Sequence, residues 1–460
     1  MKHLPQAFLD SMKNVPGFDR EAFEHTHDTN VVVTSVRLNP GKLSTAIHAG
    51  SPLSFTLGQP VPWSRYGYYL DQRPSFTFDP LFHAGLYYVQ EASSMFLEQA
   101  MKLVTDTGQP LKVLDLSAAP GGKSTHLQSL LPEDSLLVSN EVIRSRCAVL
   151  TDNIIKWGAS NVIVTNNDPA AFKKLTGYFD VIVVDAPCSG SGLFRKDPDA
   201  MEEWSLNNVS LCSQRQQRIL ADVYPALKEN GLLIYSTCSY SMEEDEAIAD
   251  WLVDVFHMES LSVDIPSAWG IVETQAPVSA ARGYRFYPDK LKGEGFFMAC
   301  FRKCETESEK RMKSAQLDRL SVKDAEIIKP WLSAGMDLMA YKNEVMALPY
   351  PLVQELSILA TLLNIYYAGV RIGSIMKQRL VPDHALAVNT SLSGSVAATE
   401  LNEEEAIKYL QRNELSIQPS GKGWQVVRYK GYNLGWINAL PNRINNYYPK
   451  EIRILKQSRE

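Results

Sequence analysis

Leu114-Asp-Leu-Ser-Ala-Ala-Pro-Gly-Gly-Lys-Ser-Thr125 is the stretch on which the fold turns. An apolar run closes at Leu116, and small residues with two glycines then carry the chain toward a helix. A strand that ends in such a turn lets a ligand come close to the backbone. Gly122-Lys123-Ser124 mimics the end of a phosphate-cradling loop. That motif needs a glycine at position 117, where this chain has Ser, and Pro120 interrupts the nest of N–H donors. A triphosphate is therefore a poor match.

Outward from this turn the sequence is rhythmic. After Lys112–Leu116, short apolar runs recur at Leu136–Glu141, Val162–Thr165, Val181–Val184 and Leu232–Tyr235. Between the second and third, Ile143, Cys147, Leu150, Ile154 and Trp157 mark one face of a helix. Before the fifth, the pattern predicts a helix over Gln217–Leu227, closed by Glu229-Asn230-Gly231. Strand and helix alternating through residues 81–302 predict an α/β, Rossmann-like doubly wound parallel sheet. Ligands of such sheets sit beyond the C-terminal strand ends, where the unusual loops of this chain fall. S-adenosylmethionine, with a sulfonium and a carboxylate, suits those loops. It needs the glycine turn, a carboxylate after the second strand for ribose hydroxyls, and a polar group after the third for the adenine edge. Glu141 and Asp168 stand at those two places. Helix capping would explain each acid alone, but not their joint placement.

Two flanking regions differ from this rhythm. Residues 1–80 read as a small α+β unit: Leu4, Phe8, Met12 and Val15 at helical spacing, then an alternating strand over Asn30–Leu38, then a turn-rich stretch with Pro52, Pro60, Pro62 and Pro74. A polar linker over 303–320 leads to a β-rich region, 321–460, in which Asn402-Glu-Glu-Glu405 predicts a capping box. Trp424–Gly431 and Leu434–Ile437 have strand character.

Composition sets the outer bounds. With 460 residues the chain is too long for a single core, and 45% hydrophobic and 21% charged residues are ordinary for a soluble protein. There is no run of roughly 20 apolar residues, so no membrane span is expected, and the N-terminus lacks the apolar core of a signal peptide. A cytoplasmic protein is expected, and nothing demands more than a monomer. The net charge of −6 does not advertise nucleic-acid binding; an RNA partner would have to meet local basic clusters. The six cysteines are too scattered for a disulfide framework. Cys300 and Cys304 form the one close pair, without a second pair or a His cluster beside it, so no metal site is expected.

Two cysteines stand apart. Cys188, in Asp185-Ala-Pro-Cys-Ser-Gly190, follows the fourth run, and Cys238, in Ser236-Thr-Cys-Ser-Tyr240, follows the fifth. Neighbouring strands would bring both thiols into one cleft, whereas Cys147 and Cys212 read as small core residues.

These two motifs, with Ser117-Ala-Ala-Pro-Gly-Gly-Lys123, resemble the signatures of the Nop/Sun group of RNA (cytosine-5) methyltransferases. The likeness extends through His83–Met95 and Gly283–Phe297. The last region, with Tyr366–Gly373 and Asn446–Lys450, is similar to the PUA-like tail of the bacterial ribosomal-RNA branch. Many relatives have Cys or Ala at the place of Ser117, and any small side chain satisfies the turn. The resemblance implies S-adenosyl-L-methionine as cofactor, held by Ser117, Ala118, Ala119, Pro120, Gly121, Gly122, Lys123, Glu141, Arg146, Asp168 and Asp185. It implies that Cys238 attacks carbon 6 of the cytosine, that Cys188 assists product release, and that Asp185 hydrogen-bonds the ring nitrogen. A thiol in water gives up its proton only near pH ~8.5, and what ionises Cys238 stays open.

The implied substrate is RNA: 16S ribosomal RNA, naked or within a small-subunit particle, with transfer RNA as an alternative. The base must be turned out of its stack. Arg195-Lys196-Asp197-Pro198 could meet flanking phosphates or be a solvated turn. In the tail, Lys430, Arg443, Lys450, Arg453 and Lys456 interleave with Trp424, Tyr429, Tyr432, Trp436, Tyr447 and Tyr448, a pattern suited to phosphate contact and base stacking. Two other readings remain: a regulatory Cys188–Cys238 redox pair, and a non-catalytic RNA-binding assembly factor on the same scaffold.

Overall fold

The computed structural model describes residues 4–29, 31–43, 52–105, 108–305, 312–341 and 344–457. Its first sheet joins β1 (Thr34–Leu38) to β2 (Gly67–Leu70) and β3 (Tyr87–Val89), with β1 in the middle and both pairings antiparallel. Asn30 lies outside the described residues, and Val31 and Val32 are exposed, so the strand starts later than its alternation suggests.

The central sheet carries the predicted parallel strands β4 (Lys112–Asp115), β5 (Leu136–Asn140), β6 (Val162–Thr165), β7 (Phe179–Asp185) and β8 (Leu227–Thr237). Their spatial order is β8-β7-β4-β5-β6, with every neighbouring pair parallel. Such strands are buried on both faces. Val113, Val181, Val183 and Ile234 enter one core, while Leu114, Ile182, Val184 and Leu233 enter the other. The sheet is mixed at its margins. Beyond β8 lie antiparallel strands: β9 (Glu259–Leu261) and β11 (Arg282–Phe286) pair with β12 (Phe296–Arg302), and β10 (Val272–Gln275) completes that edge. At the opposite edge Ile365–Ala368, a strand from the last region, pairs antiparallel with β6.

Local expectations fare unevenly. In the helix Arg144–Trp157, Cys147, Leu150, Ile154 and Trp157 are buried, but Ile143 is its exposed N-cap. The helix expected over Gln217–Leu227 runs instead over Leu206–Val223 and stops before Pro225, which cannot donate to a further turn. Asn230-Gly231 is therefore no C-cap. Asn230, at φ 61°, lies within β8, where the pairing with β7 slips, and its N–H donates to the Lys303 carbonyl. Lys303 is itself buried, its ammonium donating to the Leu227 carbonyl, so the polar stretch does not begin there.

A five-stranded sheet follows, whose edge strand Asp318–Arg319 already lies within the expected linker, and then a four-stranded one built from Ala398–Leu401, Gly423–Tyr429, Tyr432–Leu440 and Arg443–Asn446. The capping box at Asn402 and Glu405 forms as expected. Val36, Leu38 and Leu86 share one apolar core with Tyr409, Leu410, Val427 and Tyr448, so the two ends of the chain pack together.

Candidate active site

The direction in which the sheet is built reverses between β4 and β7, and ligands of this architecture bind in that crevice. Lys123, in the first turn of the helix Gly122–Leu130, bridges it: Nζ lies 2.8 Å from Oδ2 of Asp185, the last residue of β7. Burial pushes the Lys123 ammonium down, but the charge and hydrogen bond of Asp185, with the charges of Asp115 and Cys238, outweigh it and raise its pKa. Asp185 Oδ1 accepts from Ser236 Oγ at 2.8 Å.

The cofactor loop is held by its own backbone. Ala118 N–H donates to the Asn140 carbonyl, and Gly121 caps the helix at φ 116°, a left-handed position that glycine tolerates. A Cβ on Gly122 would touch the Tyr88 ring at 3.4 Å. Ser117 is half-buried, and Pro120 is exposed with its carbonyl accepting from Asn153 Nδ2 at 2.8 Å. Arg146 ties two of the expected groups together. Its Nη2 donates to the Ala119 carbonyl at 2.8 Å, and Nη1 lies 3.5 Å from Glu141 Oε2. Glu141 Oε1 accepts from Ile143 N–H at 2.9 Å. Asp168 is exposed and caps the turn Pro169–Lys174 by accepting from Ala170 N–H.

Asp115, at the end of β4, was not among the expected site residues. Ser124 Oγ donates to its Oδ2 at 2.7 Å, and its buried Oδ1 has no hydrogen-bond partner among the described residues. Burial, only partly offset by Ser124 and Lys123, pushes this carboxyl up to about 7. The orphaned oxygen, the glycine turn and the carboxylates of Glu141 and Asp185 fit a ligand that has hydroxyls and a positive charge. An unfolded chain loses the Asp115 proton near 3.8 and the folded one near 7, so between these values raising the pH favours unfolding. Asp115→Asn should therefore gain stability relative to wild type as pH rises from 4.5 to 7.5, read from urea midpoints. An unchanged difference would mean that Asp115 titrates normally.

The two thiols meet as the neighbouring strands β7 and β8 require: Cys188 Sγ and Cys238 Sγ are 3.1 Å apart, and both cysteines are free. Gly192 makes the approach possible, since its N–H donates to the Cys238 carbonyl and a Cβ there would fall 2.8 Å from that oxygen. The hydrogen bond with Cys238, then burial, then the charges of Cys238 and Glu244 raise the Cys188 thiol well above its usual range. Cys188 thus keeps its proton. Cys147 and Cys212 are buried; Cys300 is buried within β12, and Cys304 is exposed.

Other expected contacts are not where the sequence put them. Arg195 does not face solvent: it pairs with buried Glu294 and donates to the Val31 carbonyl. Lys196 is exposed, and Asp197 caps the helix Pro198–Glu203. In the tail Trp436, Tyr429 and Tyr448 are core, whereas Tyr447 is exposed with its ring 4.4 Å from that of Trp424. Lys430, Arg443, Lys450, Arg453 and Lys456 all reach the surface. A cavity of about 660 Å³ lies apart from this crevice, beside Leu317, Arg319, Tyr350 and Gln354, and holds none of the groups above.

Comparison with known proteins matches three segments of the chain. Residues 101–302 match the family described as 16S rRNA methyltransferase RsmB/F, residues 4–92 the N-terminal domain of 16S rRNA methyltransferase RsmF, and residues 396–454 the methyltransferase RsmF PUA domain. Ribosomal RNA small subunit methyltransferase F of Aeromonas hydrophila is 30% identical over 91% of this chain and 90% of that protein. The Aliivibrio fischeri protein of the same name is 32% identical over 86% and 85%. Among solved structures, a methyltransferase homolog protein from Pyrococcus horikoshii is 28% identical with a TM-score of 0.52, covering 65% of this chain and 100% of its own. NSun6 from P. horikoshii, solved with SFG, shares the fold at 20% identity and a TM-score of 0.53, over 66% and 99%. With matched segments in its first, central and last regions, and relatives aligned along most of their length, the chain belongs to the 16S rRNA methyltransferase RsmB/F family.

Proposed function

We propose that this protein transfers a methyl group to carbon 5 of a cytidine in 16S ribosomal RNA, acting in the cytoplasm as a monomer on naked RNA or on a small-subunit particle. The observation that carries the reading is the pair of free thiols 3.1 Å apart at the ends of β7 and β8, beside a crevice suited to the cofactor. S-adenosyl-L-methionine supplies an electrophilic methyl group on its sulfonium. Ser117–Lys123, Glu141 and Arg146 would hold it, with Asp168 at the adenine end.

Carbon 5 of cytosine is a weak nucleophile, so the chain must activate the ring. In this mechanism the Cys238 thiolate bonds to carbon 6, and the ring's electron density shifts to carbon 5 and nitrogen 3. The Asp185–Lys123 pair hydrogen-bonds the nitrogen that gains charge. Carbon 5 takes the methyl group, a base removes its proton, and the carbon–sulfur bond breaks to return Cys238. Cys188, which holds its proton, donates a hydrogen bond to the departing sulfur. The Lys123 ammonium, which the charges of Asp185, Asp115 and Cys238 hold protonated, places a positive charge beside the attacking sulfur.

Residues 1–80, 81–302 and 321–460 would divide the work, the middle one catalysing and the outer two holding RNA, with 303–320 as their linker. The exposed basic residues of the tail and the Trp424–Tyr447 pair support that role. The test is to incubate the purified protein with labelled cofactor and either unmodified 16S ribosomal RNA, small-subunit particles or transfer RNA, then map 5-methylcytidine by mass spectrometry. Label at one cytidine of the ribosomal substrates is the expected result; label confined to transfer RNA, or absent from all three, would refute the assignment.

A further inference from the structure

Between the two cysteine loops lies a carboxylate that the mechanism above does not use. Glu244 is fully buried, and four donors converge on it. Ser189 N–H reaches Oε1 at 2.8 Å, and the Ser189 hydroxyl donates to Oε2. Ser239 Oγ donates to Oε2 at 2.7 Å, and Gln216 Nε2 to Oε1 at 3.2 Å. Ser189 follows Cys188 and Ser239 follows Cys238, so one side chain grips the residue next to each thiol. A second tie runs alongside: Gln216 Nε2 also donates to the Pro187 carbonyl, and Tyr235 Oη shares its one hydrogen between the Glu244 carbonyl at 2.6 Å and Gln216 Oε1 at 3.0 Å.

We infer that Glu244 is a positioning residue that fastens the Cys188 loop to the Cys238 loop and makes the two thiols unequal. This rests on the covalent mechanism proposed above. The Ser189 N–H and the Gln216 amide can only donate, and burial raises the Glu244 carboxyl while these bonds and the two serine hydroxyls oppose that rise and favour the carboxylate. The negative charge of Glu244 is one of the influences that keep the proton on Cys188. Cys212, Tyr235 and Asp245 also feel it. Lys123 exerts the opposite field at Cys238. The two thiols thus sit beside charges of opposite sign.

The test reads the thiols directly. In the protein without RNA, iodoacetamide labelling mapped by mass spectrometry should modify Cys238 about tenfold faster than Cys188 in wild type, following thiolate content. Glu244→Gln keeps the shape and removes the charge, so it should bring the two rates close together. Methyl transfer by this variant should lose about a hundredfold in kcat with KM for RNA little changed, as a misplaced reacting group does. Glu244→Asp, which restores the charge, should recover the labelling ratio in part. Should Glu244→Gln unfold, Ser189→Ala removes a grip and leaves the charge: labelling preference should persist while kcat falls. An unaltered labelling ratio in folded Glu244→Gln, or a kcat loss that follows only the loss of folded protein, would overturn the proposal. The labelling arm needs no substrate, so a wild type that labels unequally yet methylates no RNA would refute the proposed reaction and leave the pairing of charges standing.

Discussion

Cys238→Ala is expected to abolish methyl transfer and Cys188→Ala to stall it with protein covalently bound to RNA. Removing a nucleophile that acts as one of a unit costs on the order of 10⁶-fold, so Cys238→Ala should fall to background. Cys188→Ala keeps the attacking sulfur but removes the hydrogen bond to it across 3.1 Å. Bond formation then proceeds while breakdown slows, and the adduct accumulates. A denaturing gel with ribosomal RNA and cofactor reads both outcomes at once: a slow band from Cys188→Ala and none from Cys238→Ala. Exchanged bands would exchange the roles. Bands from neither, with normal methylation by both variants, would end the covalent mechanism.

The second large effect is on stability. Arg285 is buried, and the two carboxylates that pair with it follow the Cys238 loop. Arg285 Nε donates to Glu246 Oε1 at 2.7 Å, and Nη2 lies 3.0 Å from Asp245 Oδ2. Asp245 in turn accepts from the Thr237 hydroxyl at 2.6 Å, and Arg285 Nη1 donates to the Tyr240 carbonyl at 2.9 Å. The guanidinium therefore supports the residues on both sides of the thiol. Burial raises Asp245 well above the usual carboxylate range even with Arg285 beside it. Arg285→Met leaves these acids unpaired and should cost about 3–5 kcal/mol, the usual consequence of removing one partner from a buried ion pair. Urea unfolding measures it directly. A loss under about 1 kcal/mol, the range of an exposed pair, would show that Glu246 and Asp245 find other partners or take up protons without penalty.

These two residues illustrate where the sequence was legible. Period and punctuation marked the five parallel strands, because each holds a short apolar run that leads into a loop. Strand adjacency then placed Cys188 and Cys238 together, since both loops leave the same edge. Glu244, Asp245 and Glu246 escaped notice for the opposite reason. A run of acids ordinarily reads as a solvated helix start, yet here all three are buried. Their partners, Arg285, Ser189 and Thr274, come from distant segments, so no local pattern marks them. The one available hint was position: the acids stand immediately behind a loop already singled out for its cysteine. Arg195 failed in the reverse sense. Its neighbours are polar, but Glu294 draws it inward. The Asn230-Gly231 signal was wrongly read as a helix C-cap, because Pro225 had already ended that helix and Asn230, at φ 61°, lies within β8.

The strand Ile365–Ala368, donated by the last region to the free side of β6, bears on how such proteins can diversify. A tail joined only by a tether could be swapped between relatives, lost, or replaced by a different recognition module. This one completes the backbone hydrogen bonding of the catalytic sheet, and its loss would leave an open edge ready to pair with another chain. Lineages can therefore vary the four-stranded sheet and its basic surface freely, but any exchange of the whole tail must bring a substitute for that one strand.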